Sequence, residues 1–416
     1  MAKLATIFLN NFFLKSFTIK KLGLIILLFS ISFNIFSQTD STKNVNQKDI
    51  TDILLRVSKH LDFTETTSDS IKIKQSHFSL LPVIAYSIQT GIVGGITGNL
   101  AFVNHKDLNA NVSNIMATLA YSTQQQTIAI LQPNIWTNKN RFNITGNVIY
   151  LKYPQETYGL GSNTTFNDDN HIDYSFFKIN LALLKQILPD FFTGIGYAID
   201  NHWNISETGT TNGRISDFEK YGLNKQTTSS GVTINFLFDN RRSSINPQKG
   251  LYGNVVYRPN FTVFGSDQNW QSLLIDFRKY FRFPSNTNNI LAFWSYNWLT
   301  LSGKPPYLDL PSTGWDAFGN TGRGYMQGRF IGLNMIDLET EYRFGILRNG
   351  LLGGVVFANA QSYSNWPQNN FNTINPGYGC GIRIKVNKQS NTNAAIDYAF
   401  GTRGSQGLFL NLCEIF

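Results

Sequence analysis

The spacing of apolar residues from residue 76 to the end most constrains what this chain can fold into. Runs of about 10–14 residues alternate apolar and polar positions, and Gly, Asn, Asp, Ser and Pro separate them. No run after residue 36 approaches the roughly 20 apolar residues that a membrane helix needs. Because alternate side chains of a strand share one face, the pattern predicts strands with one apolar face, as in a membrane β-barrel.

We predict an all-β fold, a sixteen-stranded antiparallel transmembrane β-barrel over residues 76–416, with a short N-terminal periplasmic helix. An even number of strands is expected of single-chain bacterial barrels. The predicted strands begin near His77, Gly91, Val112, Gln126, Arg141, Ile172, Phe191, Ser230, Gly250, Asn269, Asn289, Leu333, Leu351, Gly377, Thr392 and Gly407.

The segment 336–344 shows the alternation clearly. One face carries Asp337, Glu339, Glu341 and Arg343, and the other face is mostly apolar. Four charges on one face would be costly in hydrocarbon, whereas in a wet lumen they can pair and stay solvated. This face is therefore predicted to point into the barrel.

A large secreted β-sandwich or propeller is the soluble alternative. Nothing in the chain repeats at a blade-like period, and a soluble sandwich would not place aromatic residues on the outer face of strand after strand. The aromatic residues near strand ends are expected to form interface girdles. These residues are Trp136, Tyr153, Trp270, Trp294 and Trp298.

Residues 1–37 are predicted to be a secretory signal peptide. Lys20 and Lys21 precede the apolar run Leu22–Phe36, and the Ser37–Gln38 junction is suitable for cleavage. An N-terminal membrane anchor is the alternative, but the run is short for a span. Cleavage would remove four lysines from a formal net charge of +9, leaving a mild basic excess without the clustered face that nucleic acid requires.

Residues 38–75 are polar and precede the predicted barrel. Within them, Asp49–Leu61 places apolar residues at helical spacing, which predicts one short amphipathic helix. This periplasmic segment is too short to form a domain with its own core.

A strand-turn motif interrupts the pattern between two predicted strands. An apolar strand ends in an Asp-Asn-Arg triplet, and an Asn-Pro pair followed by Gly starts the next strand. Pro fixes φ and Gly permits the turn; an ordinary hairpin is the alternative interpretation. The motif residues are Asp239, Asn240, Arg241, Asn246, Pro247 and Gly250.

Further motifs follow in a fixed order. Arg323, Gly324 and Tyr325 lie in a long glycine-rich loop, and Glu341 lies on the strand after it. Asn359 then follows a Phe-Ala pair. The remaining stretches are Tyr158–Gly161, Gly377–Ile384 and Asp397–Ala399. Together these motifs resemble the barrel domain of the BamA/TamA superfamily, also called the bacterial surface antigen family, over residues 76–416.

The resemblance implies a sixth extracellular loop that folds back inside the barrel. The loop arginine of the family meets acidic residues on the lumen side of the next strands, so Arg323 is the expected loop tip and Glu341 its first partner. Asn359 stands where the family often has an acid, so this second partner is expected to form only a hydrogen bond. A last strand ending in Phe416 is expected to close the barrel.

The N-terminus departs from the family. Members that insert or secrete proteins usually carry repeated POTRA domains of roughly 75 residues, and residues 38–75 provide about half of one. Cargo recognition through such domains is therefore not expected.

Two functions follow from these expectations. The protein acts in outer-membrane protein assembly or translocation, or it is a passive pore or structural subunit of an outer-membrane complex. Outer-membrane lipid and periplasmic or outer-membrane assembly proteins are the expected partners, without nucleic acid.

No enzyme, cofactor or metal site is expected. Neither a Gly-x-Ser-x-Gly motif nor a phosphate-binding loop occurs, and nothing singles out the Ser–His pair of a phospholipase barrel. The acidic stretch Asp168–Asp173 suits a solvated loop better than a Ca²⁺ site. Cys380 and Cys413 are predicted to point to opposite faces of the sheet, so no disulfide is expected.

Overall fold

The structure is a computed structural model that describes most of the chain after residue 75. The described residues are 47–50, 52, 76–87, 89–102, 113–241, 243–317, 319–388 and 391–416. The predicted signal peptide at 1–37 and most of the predicted helix at 49–61 lie outside them.

The start of the predicted N-terminal helix is described. Ile50 and Asp52 are helical. The Asp49 backbone N–H donates to the Asp52 carboxylate, and the Asp52 N–H donates to the Asp49 carboxylate, both at 3.0 Å. This reciprocal capping is typical of a helix N-terminus.

One antiparallel sheet contains all the strands. The first nine are β1 (Ser76–Ser87), β2 (Gly91–Phe102), β3 (Ser113–Ser122), β4 (Thr127–Trp136), β5 (Phe142–Lys152), β6 (Gln155–Thr157), β7 (Asn170–Leu188), β8 (Phe191–Thr210) and β9 (Gln226–Asp239). The others are β10 (Gly250–Asn260), β11 (Trp270–Arg282), β12 (Ile290–Gly303), β13 (Asn334–Gly345), β14 (Leu352–Tyr363), β15 (Asn375–Asn387), β16 (Thr392–Phe400) and β17 (Gln406–Leu412).

The strand β5 and the short strand β6 both pair with β7, so they are two parts of one interrupted strand. The sheet therefore has sixteen antiparallel strands, as predicted. Each predicted start lies within four residues of the observed one.

The two faces of the sheet differ in polarity as the alternation predicted. In β13, Asp337, Glu339, Glu341 and Arg343 are all buried on the inner face, whereas Leu338 is 54% exposed on the outer face. Exposed apolar side chains recur on the outer face of most other strands. The sheet thus has a polar, filled interior and an apolar exterior.

The aromatic girdle prediction is wrong for three residues. Tyr153, Trp270 and Trp294 are only 2–4% exposed and lie in the interior. The indole N–H of Trp270 donates to Ser229 at 3.1 Å, and that of Trp294 to Asp276 at 2.8 Å. Buried indoles need such partners, and the inner face supplies them.

Because neighbouring strands are antiparallel, every second connection lies at the same end of the strands. The longest connections all lie at one of these two ends. We call this the loop end; it carries 158–169, 211–225, 261–269, 304–333 and 364–374, and the opposite end is the turn end. A short helix, α1 (Asp217–Gly222), lies in the second of these connections.

Among the described residues, no helix is long and apolar enough to cross a membrane. Cys380 and Cys413 are both free cysteines.

The first and last strands, β1 and β17, lie beside each other. Within the described ranges, every other pair of adjacent strands has a hydrogen-bonded register, but none joins β1 to β17. We call this junction the seam.

The last strand, predicted to extend to Phe416 and close the barrel, stops short of this residue. Strand β17 ends at Leu412, and Cys413 has a φ of +85° that breaks the strand. Phe416 then turns into the interior, where its ring lies 5.1 Å from that of Trp294 and 6.4 Å from that of Tyr280. Burial against these rings accounts for the inward course.

A charge on the outer face will test whether that face contacts lipid. Ile195 is 70% exposed and lies four residues after the start of β8, and Ile195→Arg should destabilise the fold in bilayers by about 2–4 kcal/mol if it lies near mid-depth. Val263, which is 82% exposed in a loop-end connection, is the matched control, and Val263→Arg should have little effect. Urea unfolding in lipid vesicles measures both, and equal effects would contradict a lipid-facing β8.

Candidate functional site

The connection between β12 and β13, residues 304–333, is folded into the interior; we call it loop 6. Arg323, Tyr325, Arg329 and Phe330 are each at most 2% exposed. Ile331 forms isolated bridges to loop-end residue Leu160 and to Ser312 of the same loop. Loop 6 therefore fills space between the strands rather than extending into solvent.

The guanidinium of Arg323 anchors the tip of loop 6 to three carboxylates. Its Nη2 lies 2.8 Å from Glu341 and 3.5 Å from Glu339, and its Nη1 lies 2.9 Å from Asp397. All four side chains are at most 2% exposed. A buried arginine with several carboxylates at such distances holds a loop firmly.

The other residues of the predicted lock lie at the same place. Asn359 donates its side-chain amide to the backbone oxygen of Arg323 at 2.7 Å, so it is a hydrogen-bond partner. Gly324 has a φ of +106° and packs against the backbone of Phe400, which leaves no space for a Cβ. The Tyr325 hydroxyl donates to the Pro376 carbonyl at 2.7 Å.

Sequence reasoning gave Asp397 no role, although this residue supplies the second carboxylate. It lies on β16 and is fully buried, whereas Ile396 and Tyr398 beside it are exposed. An acid at an inward position of an otherwise neutral strand was the available signal. Asp397 therefore compensates for the acid that Asn359 replaces.

Two further arginines balance these acids. Arg343 donates to Glu341 at 2.5 Å, and Arg383 donates to Asp397 at 2.5 Å. Both are at most 6% exposed. They are needed because uncompensated carboxylates in the interior would be costly to bury.

A second anchor holds the first part of loop 6. Ser229 donates to Asp309 at 2.5 Å, and His202 lies 3.7 Å from the same carboxylate. A nucleophilic serine needs a base within hydrogen-bonding reach, but here Ser229 bonds to the acid directly. Ser229, His202 and Asp309 are each at most 7% exposed, so these three residues act as a structural anchor.

Residues of other loop-end connections contact loop 6 on both sides of its tip. Arg329 donates to the hydroxyl and the carbonyl of Thr164 at 2.9 and 2.8 Å, and its guanidinium lies 4.8 Å from the Tyr158 ring and 4.6 Å from the Phe166 ring. Burial lowers the pKa of Arg329 to about 10, so it remains a cation at neutral pH. The Tyr221 hydroxyl of α1 donates to the Pro305 carbonyl at 2.9 Å.

The strand-turn motif lies at the turn end, away from the loop tip. Arg241 forms a two-bond pair with Asp239, both at 2.9 Å. Asn240 accepts a hydrogen bond from the Leu251 N–H at 2.7 Å. Gly250 has a φ of +118°, which favours glycine. These contacts fix the hairpin.

The middle of this turn reaches across the turn end. Asn246 donates to the Asn391 carbonyl at 3.2 Å, in the turn before β16. The Pro247 carbonyl accepts from Arg343 at 3.4 Å. The motif is thereby connected to the charged interior through Arg343.

The acidic stretch at 168–173 forms local contacts. Asp168 accepts the Thr165 N–H at 2.9 Å, and His171 pairs with Glu156 at 2.8 Å. Across the part of the chain that the structure describes, no group of three His, Cys, Asp or Glu residues is arranged to hold a metal ion.

Three solved structures share this fold. BamA from Haemophilus ducreyi lacking POTRA domains 1–3 aligns with a TM-score of 0.53 at 13% identity, covering 87% of this chain and 78% of that one. CdiB from Acinetobacter baumannii aligns with a TM-score of 0.50 at 12% identity, covering 82% and 60%. CdiB from Escherichia coli aligns with a TM-score of 0.51 at 10% identity, covering 82% and 63%.

The chain thus spans less than two thirds of the CdiB chains. No family model and no curated protein matches the sequence. The likeness to BamA and CdiB shows the fold that the motifs implied, a sixteen-stranded sheet of the barrel type.

Loss of the second carboxylate should weaken the fold more than loss of the amide. Asp397→Asn leaves two buried arginines short of a partner, and we expect a loss of about 3–5 kcal/mol. Asn359→Ala removes one neutral hydrogen bond, and we expect about 1 kcal/mol. Denaturant unfolding of the purified protein in detergent compares them. Equal losses would mean that Asp397 is not the principal second partner of Arg323.

Proposed function

We propose that this protein is an outer-membrane β-barrel that acts in the assembly or translocation of outer-membrane proteins. The fold shared with BamA and CdiB supports this proposal, and so does the apolar outer face of the strands. The role requires membrane contact and a passage for client chains, but no catalytic group.

The seam between β1 and β17 is the observation that carries the proposal. Strand β17 has seven residues and β1 has twelve, and no ladder is present between them in the described ranges. An edge with unpaired backbone N–H and C=O groups accepts another strand. A client strand that pairs at the seam would enter the bilayer beside the barrel.

The filled interior directs clients to the seam. Loop 6 is anchored by Arg323 at its tip and by Asp309 nearer its start. A void of about 60 Å³ lies between the loop and β17, lined in part by Asn320 and Phe409. A space of this size suffices for a few water molecules but not for an extended chain, so passage between the loop and β17 would require displacement of loop 6.

The proposed location is the bacterial outer membrane, reached through a cleaved signal peptide. The loop end would face the exterior and the turn end the periplasm. At the turn end, Lys388 pairs with Asp52 at 2.8 Å and donates its backbone N–H to Asp49. The proposed periplasmic helix would therefore start beside the turn that joins β15 to β16.

Covalent closure of the seam should stop the proposed activity. In a Cys380→Ser, Cys413→Ser background, a panel of cysteine pairs joining residues 78–82 to residues 408–412 would form disulfides across it. We expect such a lock to lower the amount of newly assembled outer-membrane protein at least several-fold in a strain that depends on this chain. Reduction should restore assembly.

The matched control is a cysteine pair at Ile396 and Leu410, which already face each other in the β16–β17 ladder. This lock should not change assembly. A seam lock that forms fully and leaves assembly at the control level would exclude the seam mechanism. Depletion that leaves the outer-membrane proteome unchanged would exclude the assembly role as a whole.

The alternative is a structural subunit or passive pore of an outer-membrane complex. The filled interior favours the subunit over the pore, because loop 6 and its buried anchors occupy space between the strands. Stable co-purification with one partner, without client proteins, would favour the subunit.

Conductance in planar bilayers distinguishes a passive pore from an assembly protein or a structural subunit. We expect the unmodified protein to conduct poorly and Arg323→Ala to conduct more, since loop 6 loses its tip anchor. Asn359→Ala, which keeps the ion pairs, is the control and should behave as the unmodified protein does. A large, steady conductance of the unmodified protein would support the pore.

A further inference from the structure

Six charged side chains in the interior form a closed ring in which arginines and carboxylates alternate. Arg343 pairs with Glu341, Glu341 with Arg323, and Arg323 with Asp397. Asp397 continues to Arg383. Glu414 closes the ring, because its carboxylate lies 2.8 Å from Arg383 and 3.6 Å from Arg343.

Five parts of the fold contribute to this ring. Loop 6 contributes one arginine, β13 an arginine and a glutamate, β15 an arginine and β16 an aspartate. Glu414 comes from the segment after β17 and its side chain is 2% exposed. Three positive and three negative groups balance each other, so the ring is neutral as a whole while each member depends on two neighbours.

The segment 413–416 makes further interior contacts. The Ile415 carbonyl accepts from the Asn320 amide of loop 6 at 2.8 Å. The Phe416 backbone oxygen accepts from Arg343 at 2.6 Å, and the Phe416 side chain is 3% exposed. This segment therefore contacts loop 6 directly through Asn320 and indirectly through the ring.

We propose that the segment 413–416 is an interior latch for loop 6, and that release of either one releases the other. Removal of Glu414 leaves Arg343 and Arg383 each short of a carboxylate in a buried setting. Both arginines then draw more strongly on Glu341 and Asp397, the two carboxylates that hold Arg323. Coupling of this kind is reciprocal, so loosening of Arg323 must also loosen Glu414.

The latch also affects the seam. While Glu414 and Phe416 are held inside, β17 ends at Leu412 and contributes only seven residues to the junction with β1. A released segment is free to continue β17 along β1. The coupling is a property of the isolated protein and does not depend on the proposed function.

Glu414→Gln tests the first direction of coupling. This variant keeps the size of the side chain and removes its charge. Arg323 is buried and should resist trypsin in the unmodified protein, and its cleavage yields a fragment that begins at Gly324. We expect this fragment to appear about tenfold faster in Glu414→Gln, within the usual range of coupling. Mass spectrometry identifies the fragment.

Asp239→Asn is the matched control. It removes the carboxylate of an arginine pair at the same end of the sheet, outside the ring, and should leave cleavage at Arg323 unchanged. Heat-modifiable migration must show that each variant is folded. If Glu414→Gln does not fold, Glu414→Asp shortens the same contact and replaces it in the comparison.

The reverse direction uses Cys413 as the reporter in a Cys380→Ser background. Glu341→Gln loosens Arg323, and we expect maleimide to label Cys413 about tenfold faster than in the unmodified ring. Faster labelling of Cys413 in Glu414→Gln, together with unchanged cleavage at Arg323, would overturn the proposal because the segment would then move without loop 6. Unchanged labelling in a folded Glu341→Gln protein would overturn it equally.

Discussion

The buried charge of Arg323 is the constraint on which the rest of the interior depends. A guanidinium withdrawn from water costs several kcal/mol unless carboxylates and hydrogen bonds replace its solvent. Strands β13 and β16 therefore present Glu341 and Asp397 inward, and Arg343 and Arg383 balance those acids in turn. These ion pairs form only when loop 6 lies between the strands. The charges that make the inner face polar therefore also hold the loop that fills the interior.

The filled interior determines which side chains the strands can place on their inner face. An aqueous channel would favour small polar side chains, whereas this interior also buries Trp270, Trp294 and Tyr153 beside polar partners. Tyr153 packs against Trp315 of loop 6, and Trp294 packs against Phe416. The interior therefore resembles the core of a soluble protein in packing, although the outer face is apolar.

Local alternation was sufficient to predict the strands but not the contacts between distant ones. Period two places Glu341 inside, and the resemblance to the BamA/TamA superfamily then implies its pairing with Arg323. The partnership of Arg323 with Asp397 depends on which strands face each other across the interior, and the alternation of one strand carries no such information. The inward turn of Phe416 was missed for a related reason, because its aromatic partners lie on β11 and β12.

The course of the chain after β17 follows from a comparison of two sets of interactions. Pairing of residues 413–416 with β1 would add a few backbone hydrogen bonds, each worth about 0.5–1.5 kcal/mol net. The inward course keeps Glu414 between two arginines, whose loss of a buried partner costs about 3–5 kcal/mol, and buries Phe416 for about 1.5–3 kcal/mol more. The interior course is therefore favoured by a few kcal/mol, a difference small enough for a competing strand at the seam or a displaced loop 6 to reverse.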